Sequence, residues 1–310
     1  MLTLVTSSRF ADHLTPPGHP ERPERAAVMS TVAERFATAG GQVVEPRAAE
    51  DDDLLRVHTP GHVAAMVATR GRAVMLDDDT FMSPLSEEVA RLAAGAVLTA
   101  VDLVLDGPRG ARAVALVRPP GHHAEADTPM GFCLYNSIAV GAAYARARGL
   151  ARVAIVDYDV HHGNGTQQIF YADPTVLFVS SHQFPFWPGS GAADERGSGA
   201  GLGYTVNLPL PLGATDDEVL DRYEREAFPV LDRFQPQLLL ISAGFDAHER
   251  DPLAGCRMTT DGLATLTARL LAGASRWCDG RVVLATEGGY DLEALDACLT
   301  AVVRVADATR

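Results

Sequence analysis

The feature that most constrains this 310-residue chain is an apolar run that ends in a cluster of carboxylates and imidazoles. Residues 152–156 are mostly aliphatic, β-branched and uninterrupted, which predicts a strand buried on both faces. Asp157, Asp159, His161 and His162 follow within six residues. Because alternate side chains of an extended chain share a face, we expect Asp159 and His161 to point the same way. A carboxylate oxygen and an imidazole nitrogen are half of a metal site of the zinc type.

The alternative for this stretch is a solvated polar loop at the end of a strand, which is a common feature. A fully apolar strand that ends in Asp-x-Asp-x-His-His beside glycines is hard to explain by solvation, so the metal site is the favoured interpretation. Gly163 and Gly165 flank Asn164 and allow the backbone to turn sharply into a helix that begins near Thr166.

Short apolar strands alternate with helices along the whole chain. The predicted strands are residues 2–6, 42–45, 111–117, 152–156, 175–180, 204–208, 237–242 and 281–286. The longer predicted helices are residues 21–39, 86–105, 135–148, 215–234 (interrupted at Pro229), 259–277 and 291–306. This alternation predicts an α/β fold, with an eight-stranded, mainly parallel sheet and helices on both faces. Since no linker or repeat interrupts the chain, residues 1–310 are expected to form a single domain.

Charge and cysteine content narrow the function classes. The formal net charge is −14, which argues against nucleic acid as a partner because phosphate binding needs basic patches. The four cysteines contain no C-x-x-C pair and make no disulfide framework, so a reducing, cytoplasmic setting is expected. No signal peptide and no apolar run of membrane-spanning length is recognisable in the sequence.

Four polar, glycine-rich segments each follow a predicted strand. They are residues 118–132, 157–165, 243–255 and 287–290. In parallel α/β sheets, ligands bind beyond the carboxyl ends of the strands. The four segments are therefore expected to meet at one rim of the sheet and to form an active site there.

The first of these segments contains a tandem pair, His122 and His123, directly after Pro-Pro-Gly. A metal-dependent hydrolase needs a base that deprotonates the attacking water and an acid that protonates the leaving amine. Histidine can do both near neutral pH. Asp157 and Asn164 in the next segment are available to fix the tautomers of the two imidazoles. The alternative is a pair of surface histidines in a turn, which is less favoured beside half of a metal site.

The last two segments add a carboxylate and a phenol. Asp246 follows the strand at 237–242 and would complete a three-ligand site with Asp159 and His161. Such a site leaves positions open for water and substrate, as a catalytic zinc requires. Tyr290 follows two glycines, and its hydroxyl is suited to donate to a developing oxyanion, although Gly-Gly-Tyr alone would be an ordinary turn.

In combination and in this order, the segments resemble those of the histone deacetylase superfamily over essentially the whole chain. The matching segments are His19–Arg25, Arg118–Ala124, Gly131–Cys133, Asp157–Gln167, Ser242–Asp246, Asp251–Leu253 and Glu287–Tyr290. Asn164 resembles the class II branch and its bacterial relatives, since class I members carry aspartate at this position. The resemblance implies an arginase/deacetylase-type α/β fold and zinc-dependent hydrolysis of N-acetyl-lysine side chains.

The resemblance also implies roles for single residues. The positions that match the ligands of one Zn²⁺ are Asp159, His161 and Asp246. The positions that match catalytic residues are His122 paired with Asp157, His123 as general base and acid with Asn164 as its partner, and Tyr290 as the tyrosine that polarises the acyl carbonyl. The positions that match a structural K⁺ site are Asp157, Asp159, His161 and Ser180. The related ureohydrolases bind two metals through Asp-x-His-x-Asp, but Gly163 replaces the last carboxylate here, so a mononuclear site is expected.

The substrate tunnel is implied in the same way. Phe132, next to Gly131, and Trp187 match two aromatic walls around the aliphatic stem of an acyl-lysine. The second wall is more usually Phe, so Trp187 is expected to narrow the tunnel. Asp79, in a loop predicted for residues 70–83, lies near the position where relatives bind the substrate backbone.

Two alternatives to an acetyl-lysine substrate remain open at the level of sequence. The first is a small acetylated amine such as an acetylpolyamine. The polyamine-specific branch carries an acid after an Asp-Pro pair, where this chain has Leu253, but the acidic patch Asp77–Asp79 offers carboxylates from elsewhere. The second is a non-catalytic module that binds acyl-lysine, which is disfavoured because every position needed for chemistry is filled. The oligomeric state is not predicted.

Overall fold

The computed structural model describes residues 1–308 and contains ten strands and ten α-helices in this range. The strands are β1 (Leu2–Val5), β2 (Gln42–Val44), β3 (Val74–Met75), β4 (Phe81–Met82), β5 (Arg112–Ala115), β6 (Val153–Asp157), β7 (Val176–Gln183), β8 (Thr205–Leu210), β9 (Leu238–Ala243) and β10 (Val282–Thr286). The helices are α1 (Glu24–Thr38), α2 (Asp51–Leu54), α3 (Pro60–Val67), α4 (Ser86–Leu105), α5 (Ser137–Ala147), α6 (Asn164–Phe170), α7 (Asp216–Arg222), α8 (Phe228–Phe234), α9 (Thr260–Trp277) and α10 (Leu292–Ala308).

Eight of the strands form one sheet in the order β2-β1-β5-β10-β9-β6-β7-β8. Every neighbouring pair in it is parallel, so the predicted eight-stranded sheet is confirmed and contains no antiparallel strand. Parallel neighbours must be joined by crossover connections, which explains why helices separate most of these strands in the sequence.

Helices cover both faces of the sheet, as the strand–helix alternation predicts. One hydrophobic core packs α1, α9 and α10 against one face, and a second packs α4 and α5 against the other. Along β9, Leu239 and Ile241 belong to the first core, whereas Leu238 and Leu240 belong to the second. Because both faces are buried, the central strands are uninterrupted apolar runs rather than alternating ones.

The strand order determines where the candidate active site lies on the sheet. β5, β10, β9 and β6 are neighbours in the middle of the sheet, and the four polar segments singled out in the sequence follow these four strands. Their carboxyl ends lie along the same edge because the strands are parallel. The predicted convergence of four sequence-distant loops at one rim is therefore confirmed.

Two local features differ from the prediction. Residues 70–83, expected to be a loop, contain the antiparallel hairpin β3–β4 with Val74 opposite Met82. Two-residue strands are too short to show the period of two that identifies a strand in sequence. The predicted helix 215–234 is divided by a π-helical segment, Tyr223–Ala227, immediately before α8, in which Pro229 occupies the first turn and has no N–H to donate.

Candidate active site

The candidate metal centre is built from the loops after β6 and β9. The ligand atoms of Asp159, His161 and Asp246 lie within 4.8 Å of one another, and all three side chains are buried. His161 Nδ1 is 3.2 Å from Asp159 Oδ1 and 3.1 Å from Asp246 Oδ2. The chain is bent after Asp157 rather than extended, and Asp159 Oδ1 accepts the backbone N–H of His161 across this bend at 2.9 Å. The two ligands are therefore brought together by a local turn and not by strand periodicity.

The surroundings of these residues fit a zinc ion. Asp159 Oδ2 accepts the backbone N–H of Gly288 at 2.8 Å, and Asp246 Oδ1 accepts that of Val160 at 2.9 Å. A Cβ atom at Gly288 would lie 2.1 Å from Asp246 Oδ2, so only glycine allows this approach. Burial alone lowers the pKa of His161, but the two carboxylates raise it to about 10. The two buried carboxylates thus stabilise a positive charge at this position. Two carboxylate oxygens and an imidazole nitrogen are also ligands that Zn²⁺ accepts.

The tandem histidines have different partners. His122 Nδ1 lies 2.9 Å from Asp157 Oδ2, whereas His123 Nδ1 lies 2.8 Å from Asn164 Oδ1. Although burial alone lowers the pKa of His122, the charges of Asp157 and Asp159 raise it well above its ordinary value. Burial, with the neighbouring imidazoles of His122 and His161, lowers the pKa of His123 well below its ordinary value. One imidazole is therefore held charged and the next one neutral.

The tautomer of His123 follows from its partner. Asn164 Nδ2 donates to Glu125 Oε1 at 3.0 Å, which directs the amide oxygen of Asn164 towards His123. An amide oxygen only accepts, so Nδ1 of His123 carries the hydrogen and Nε2 keeps its lone pair. His123 is thereby prepared to accept a proton at Nε2. Asn164 is the first residue of α6, two positions earlier than the predicted start of that helix.

Glu287, which the sequence prediction did not single out beyond its motif, holds the histidine loop in place. Its Oε2 accepts the backbone N–H groups of Gly121 and His122 at 2.7 and 3.2 Å, and its Oε1 accepts the hydroxyl of Ser242 at 3.0 Å. Burial raises the pKa of Glu287 to about 7. One side chain directly after β10 thus joins the loop that follows β5 to the carboxyl end of strand β9.

Tyr290 is buried and lies at the inner end of a cavity. Burial raises the pKa of its phenol well above the ordinary value, so the hydroxyl stays protonated and able to donate. The guanidinium of Arg25 lies 5.0 Å from the centre of the tyrosine ring, and Arg25 Nε donates to the carbonyl oxygen of Gly289 at 2.8 Å. Arg25 is completely buried and ion-paired with Glu21 at 3.0 Å.

The cavity has a volume of about 200 Å³ and connects the histidines to the surface. Its lining residues are Asp79, His123, Gly131, Phe132, His161, Phe186, Trp187, Leu253 and Tyr290. It brings together all five residues that were expected to contact substrate, and it adds Phe186. The ring of Phe186 stacks on that of His161 at 5.7 Å, a contact between neighbouring loops that no sequence spacing reveals.

Trp187 forms the outer part of the aromatic wall. Its ring meets that of His123 edge-on at 4.6 Å, and 39% of the residue is exposed. Gly131 faces it with φ of +57°, and a Cβ atom there would lie 2.5 Å from the indole and 2.6 Å from the His123 ring. The indole therefore fills the space that the missing Cβ leaves. This contact supports the expectation that Trp187 narrows the tunnel.

The residues expected around K⁺ are also neighbours. Ser180 on β7 is paired with Asp157 on β6, and both are completely buried. Asp157 Oδ1 in turn accepts the backbone N–H of Asp159 at 3.1 Å.

Comparisons with known proteins identify the family. Residues 19–306 match the histone deacetylase domain family. The chain is 40% identical over 293 residues to a probable deacetylase of Archaeoglobus fulgidus, with 94% of this chain and 81% of the relative covered. It is 41% identical over 293 residues to a histone deacetylase-like amidohydrolase of Pseudomonas aeruginosa, with 92% and 76% covered. The crystal structure of the HDA15 HD domain superposes with a TM-score of 0.90 at 37% identity, over 99% of this chain and 91% of that one.

The chain belongs to the histone deacetylase family. It is accordingly a deacetylase, a hydrolase that acts on amide bonds, in a zinc-dependent family, and it has a candidate metal site at Asp159, His161 and Asp246. All four cysteines of this deacetylase are free and buried. Within residues 1–308, no helix combines the length and the apolar character that crossing a membrane requires.

Proposed function

We propose that this deacetylase hydrolyses the amide of N-acetyl-lysine side chains in proteins or peptides and releases acetate. The observation that carries the proposal is the narrow cavity, in which Phe132, Phe186 and Trp187 line a path to His123 and Tyr290. Aromatic walls suit the aliphatic stem of a lysine, which has no polar group between its backbone and its amide. A volume of about 200 Å³ leaves room for a stem and a short acyl group.

We propose roles for the residues at the inner end. His123 accepts a proton from the attacking water at Nε2, because Asn164 holds the hydrogen on Nδ1. Tyr290 donates its hydroxyl to the acyl oxygen as negative charge develops there. His123 then gives that proton to the departing nitrogen as the C–N bond breaks, which yields a neutral amine and acetic acid, and the acid ionises to acetate by releasing its proton to the amine or to water. The charged imidazole of His122, paired with Asp157, stabilises the negative charge of the transition state electrostatically.

We propose Zn²⁺ as the resident metal, held by Asp159, His161 and Asp246. When bound, zinc supplies a Lewis acid that polarises the acyl carbonyl and makes water more acidic. We further propose a structural K⁺ held around Asp157, Asp159, His161 and Ser180, which the pairing of β6 with β7 supports.

The domain and the compartment are proposals as well. We propose that residues 1–310 act as one catalytic domain, since β1 at the start of the chain lies inside the sheet that carries the site. A reducing, cytoplasmic setting is supported by the four free cysteines. The net charge of −14 supports a protein that does not bind nucleic acid.

The apolar residue at the rim favours lysine over a polyamine. Leu253 lines the cavity where the polyamine-specific branch carries an acid. An acetylpolyamine would lack a charge-assisted contact to its distal ammonium there, roughly 1.5–3 kcal/mol or on the order of tenfold to a hundredfold in affinity. An acetyl-lysine in a peptide has no such ammonium and loses nothing.

Hydrolysis of an acetylpolyamine is the second candidate, and one observation favours it. Asp79 is one of the residues that line the same cavity, so the cavity contains an acidic residue that could pair with the distal ammonium of a polyamine. Burial and the neighbouring charge of Asp77 raise its pKa, which makes it a weaker anion than an exposed aspartate. Leu253 and Asp79 thus favour different substrates.

Purified protein, assayed with a panel of acetyl-lysine peptides, longer acyl-lysines and acetylspermidine, tests the proposal. We expect a higher kcat/KM for the best acetyl-lysine peptide than for acetylspermidine, and a smaller difference in the Leu253→Glu variant. Leu253→Gln, which adds a polar group without charge, is the matched control and should leave the ratio near that of the wild type. A wild-type preference for acetylspermidine would reject the lysine proposal in favour of the polyamine.

A further inference from the structure

Asp251 lies outside the chemistry described so far, but its carboxylate touches two parts of the site. Oδ2 accepts the backbone N–H of Tyr290 at 2.6 Å and that of Asp291 at 3.3 Å. Oδ1 accepts the backbone N–H of Leu253 at 3.0 Å. The residue is 7% exposed, so water competes little for these bonds. One side chain therefore holds the main chain of the tyrosine at the inner end of the cavity and of the leucine at its rim.

We propose that Asp251 is the residue that positions Tyr290 for donation to the acyl oxygen. The inference rests on the proposed function, because it assigns Asp251 a part in the same reaction. Asp251 acts through the backbone of Tyr290 and touches no reacting atom.

The segment that carries Tyr290 needs such a restraint. Gly288 and Gly289 precede it, and Gly289 has φ of +125°, a region that other residues rarely adopt. Upstream, this segment is fixed by bonds from Phe245 N–H to the Gly288 carbonyl at 3.0 Å and from Gly288 N–H to Asp159. At Gly289 itself, the carbonyl oxygen accepts a hydrogen bond from Arg25 Nε at 2.8 Å, which holds one end of the peptide group that joins Gly289 to Tyr290. The bond from Tyr290 N–H to Asp251 fixes the chain on the far side of that glycine.

Asp251 is itself well anchored. Its backbone N–H donates to the carbonyl oxygen of His248 at 2.9 Å, which ties it to the loop that carries Asp246. The carboxylate thus connects the loop after β9 to the loop after β10, the two loops that supply a metal ligand and the phenol. Burial raises the pKa of Asp251 to about 7. Above that pH the side chain is an ionised carboxylate, and hydrogen bonds from N–H groups to a carboxylate are about twice as strong as neutral ones, which suits a joint between two loops.

The consequence for rate is specific. Displacing a catalytic group by about 1 Å is enough to cost on the order of 100-fold in rate. Because the tyrosine hydroxyl acts on charge that develops in the transition state, its displacement lowers kcat and leaves KM nearly unchanged. A general loosening of the fold would act equally whether or not the hydroxyl is present. The dependence of the Asp251 effect on that hydroxyl therefore separates positioning from mere structural support.

A double-mutant cycle measures this dependence. The variants are Asp251→Ala, Asp251→Asn, Tyr290→Phe, Asp251→Ala with Tyr290→Phe, and Arg250→Ala. Arg250 is the matched control, because it is exposed, adjacent to Asp251 and paired with Asp291 and Glu293, yet it does not contact the carboxylate. For each zinc-loaded variant, kcat and KM for an acetyl-lysine peptide, zinc content and Tm are measured.

We expect Asp251→Ala to lower kcat by about 10- to 100-fold with zinc retained, on the scale of a displaced catalytic group. In the Tyr290→Phe background the same substitution should change kcat by less than about threefold, since no hydroxyl remains to be placed. Asp251→Asn keeps one oxygen acceptor and should recover part of the rate; it also serves if the alanine variant does not fold. Arg250→Ala should match the wild type.

Two results would overturn the inference: a kcat of Asp251→Ala within twofold of the wild type, or an equal loss in the presence and absence of the Tyr290 hydroxyl. In either case an active wild-type enzyme leaves the proposed function standing. A correctly folded, zinc-loaded wild type that hydrolyses no acetylated amine would reject the proposed function, and this inference with it.

Discussion

The two adjacent histidines, His122 and His123, differ in their hydrogen-bond partners and in the charges around them. Burial lowers the pKa of both imidazoles, but the charges of Asp157 and Asp159 raise the pKa of His122 well above its ordinary value. The neighbouring imidazoles lower the pKa of His123 further, and its partner Asn164 accepts a hydrogen bond from Nδ1 and carries no charge. Neighbouring residues of the same type therefore offer a fixed positive charge and a base. Their division of labour depends on residues that lie more than 30 positions away in the sequence.

The hydroxyl of Tyr290 gives the first prediction at this scale. Tyr290→Phe should lower kcat by about 100-fold or more, the scale of losing one donor to an oxyanion. The cavity and the metal ligands are untouched, so the zinc content and the KM for an acetyl-lysine peptide should stay near those of the wild type. Steady-state kinetics with metal analysis checks this, and turnover within a few-fold of the wild type would show that the phenol does not stabilise the oxyanion.

The second prediction concerns the carboxylate of Asp246. Asp246→Ala removes one of three ligands, and two ligands rarely hold a catalytic zinc, so both zinc and activity should be lost. Elemental analysis after dialysis measures the zinc per chain. Asp217→Asn, an exposed carboxylate on α7, is the control that should keep its zinc. One zinc per chain in both variants would contradict the ligand assignment.

Residue identities were easier to predict than their contacts. The histidines, carboxylates and tyrosine at the strand ends were found because their residue types and spacing are chemically informative. Phe186 was missed, since an aromatic residue beside Trp187 in a long loop has no periodicity that marks it as a wall. Glu287 and Asp251 appeared in matching segments without a role, because each acts through backbone N–H groups of distant loops, which a sequence does not display.

At the scale of elements, the long loop after β7 carries the aromatic wall and is tied down by Glu195. The carboxylate of Glu195 accepts the backbone N–H groups of Gly191 and Ala192 at 3.0 Å and the side-chain amide of Gln167 at 2.6 Å. Gln167 lies on α6, directly after the loop that carries His161. The wall is thus fixed to the same helix that begins at the metal loop.

Glu195→Gln should loosen this wall. A glutamine offers one acceptor oxygen for three donors, and the loss of a charged hydrogen bond is worth about 1.5–3 kcal/mol. A loss of that free energy corresponds to at least about a tenfold weaker binding. We therefore expect KM for an acetyl-lysine peptide to rise by about 10-fold and kcat to stay within a few-fold of the wild type. In a Trp277→Phe background, Trp187 is the remaining tryptophan. Its indole should become more mobile and more exposed to water, so its fluorescence emission should shift to the red.

Glu34→Gln, an exposed glutamate on α1, is the control and should change neither KM nor the tryptophan emission. An unchanged emission spectrum together with an unchanged KM in Glu195→Gln would show that the wall is held by other contacts.

The elements themselves could be predicted to the extent that they are long. All eight sheet strands and the long helices were found, because each contains an apolar run or a periodic pattern. The hairpin β3–β4 and the π-helical segment before α8 were not, because two-residue strands and a single widened turn leave no pattern in the sequence. The strand order is likewise absent from any local pattern, and the positions of the chemically informative residues indicated only which strand ends meet at one rim.

At the scale of the whole molecule, the buried His58 makes stability depend on pH. Its Nε2 accepts the backbone N–H of Asn136 at 2.9 Å and its Nδ1 faces the carbonyl oxygen of Glu125 at 3.0 Å, an arrangement that requires a neutral ring. Burial, and then the neighbouring His62, lowers the pKa of His58 from 6.5 to about 3. The unfolded chain therefore binds a proton below pH 6.5 that the folded chain refuses until about pH 3.

The free energy of unfolding should fall as the pH drops through this interval, by up to about 1.4 kcal/mol per pH unit from this residue. His58→Gln should be less stable than the wild type at pH 8, where the histidine is neutral in both states, but should lose less stability between pH 6.5 and 4. Urea unfolding at several pH values measures both slopes. Parallel slopes for variant and wild type would show that His58 is not among the groups responsible.

The metal ligands have a consequence that reaches beyond catalysis. His161 and Asp246 are 85 positions apart, and the chain between them makes β7, β8 and three helices before it returns to the strand beside β6. An ion bound by both residues would act as a removable cross-link between the two ends of this segment. It would stabilise the folded state by about 2.7 kcal/mol when the free metal concentration exceeds the dissociation constant 100-fold. A chain whose central strands are wrongly ordered has no place for the ion. We therefore expect correctly assembled molecules to retain the metal and misassembled ones to lose it, before any substrate is bound.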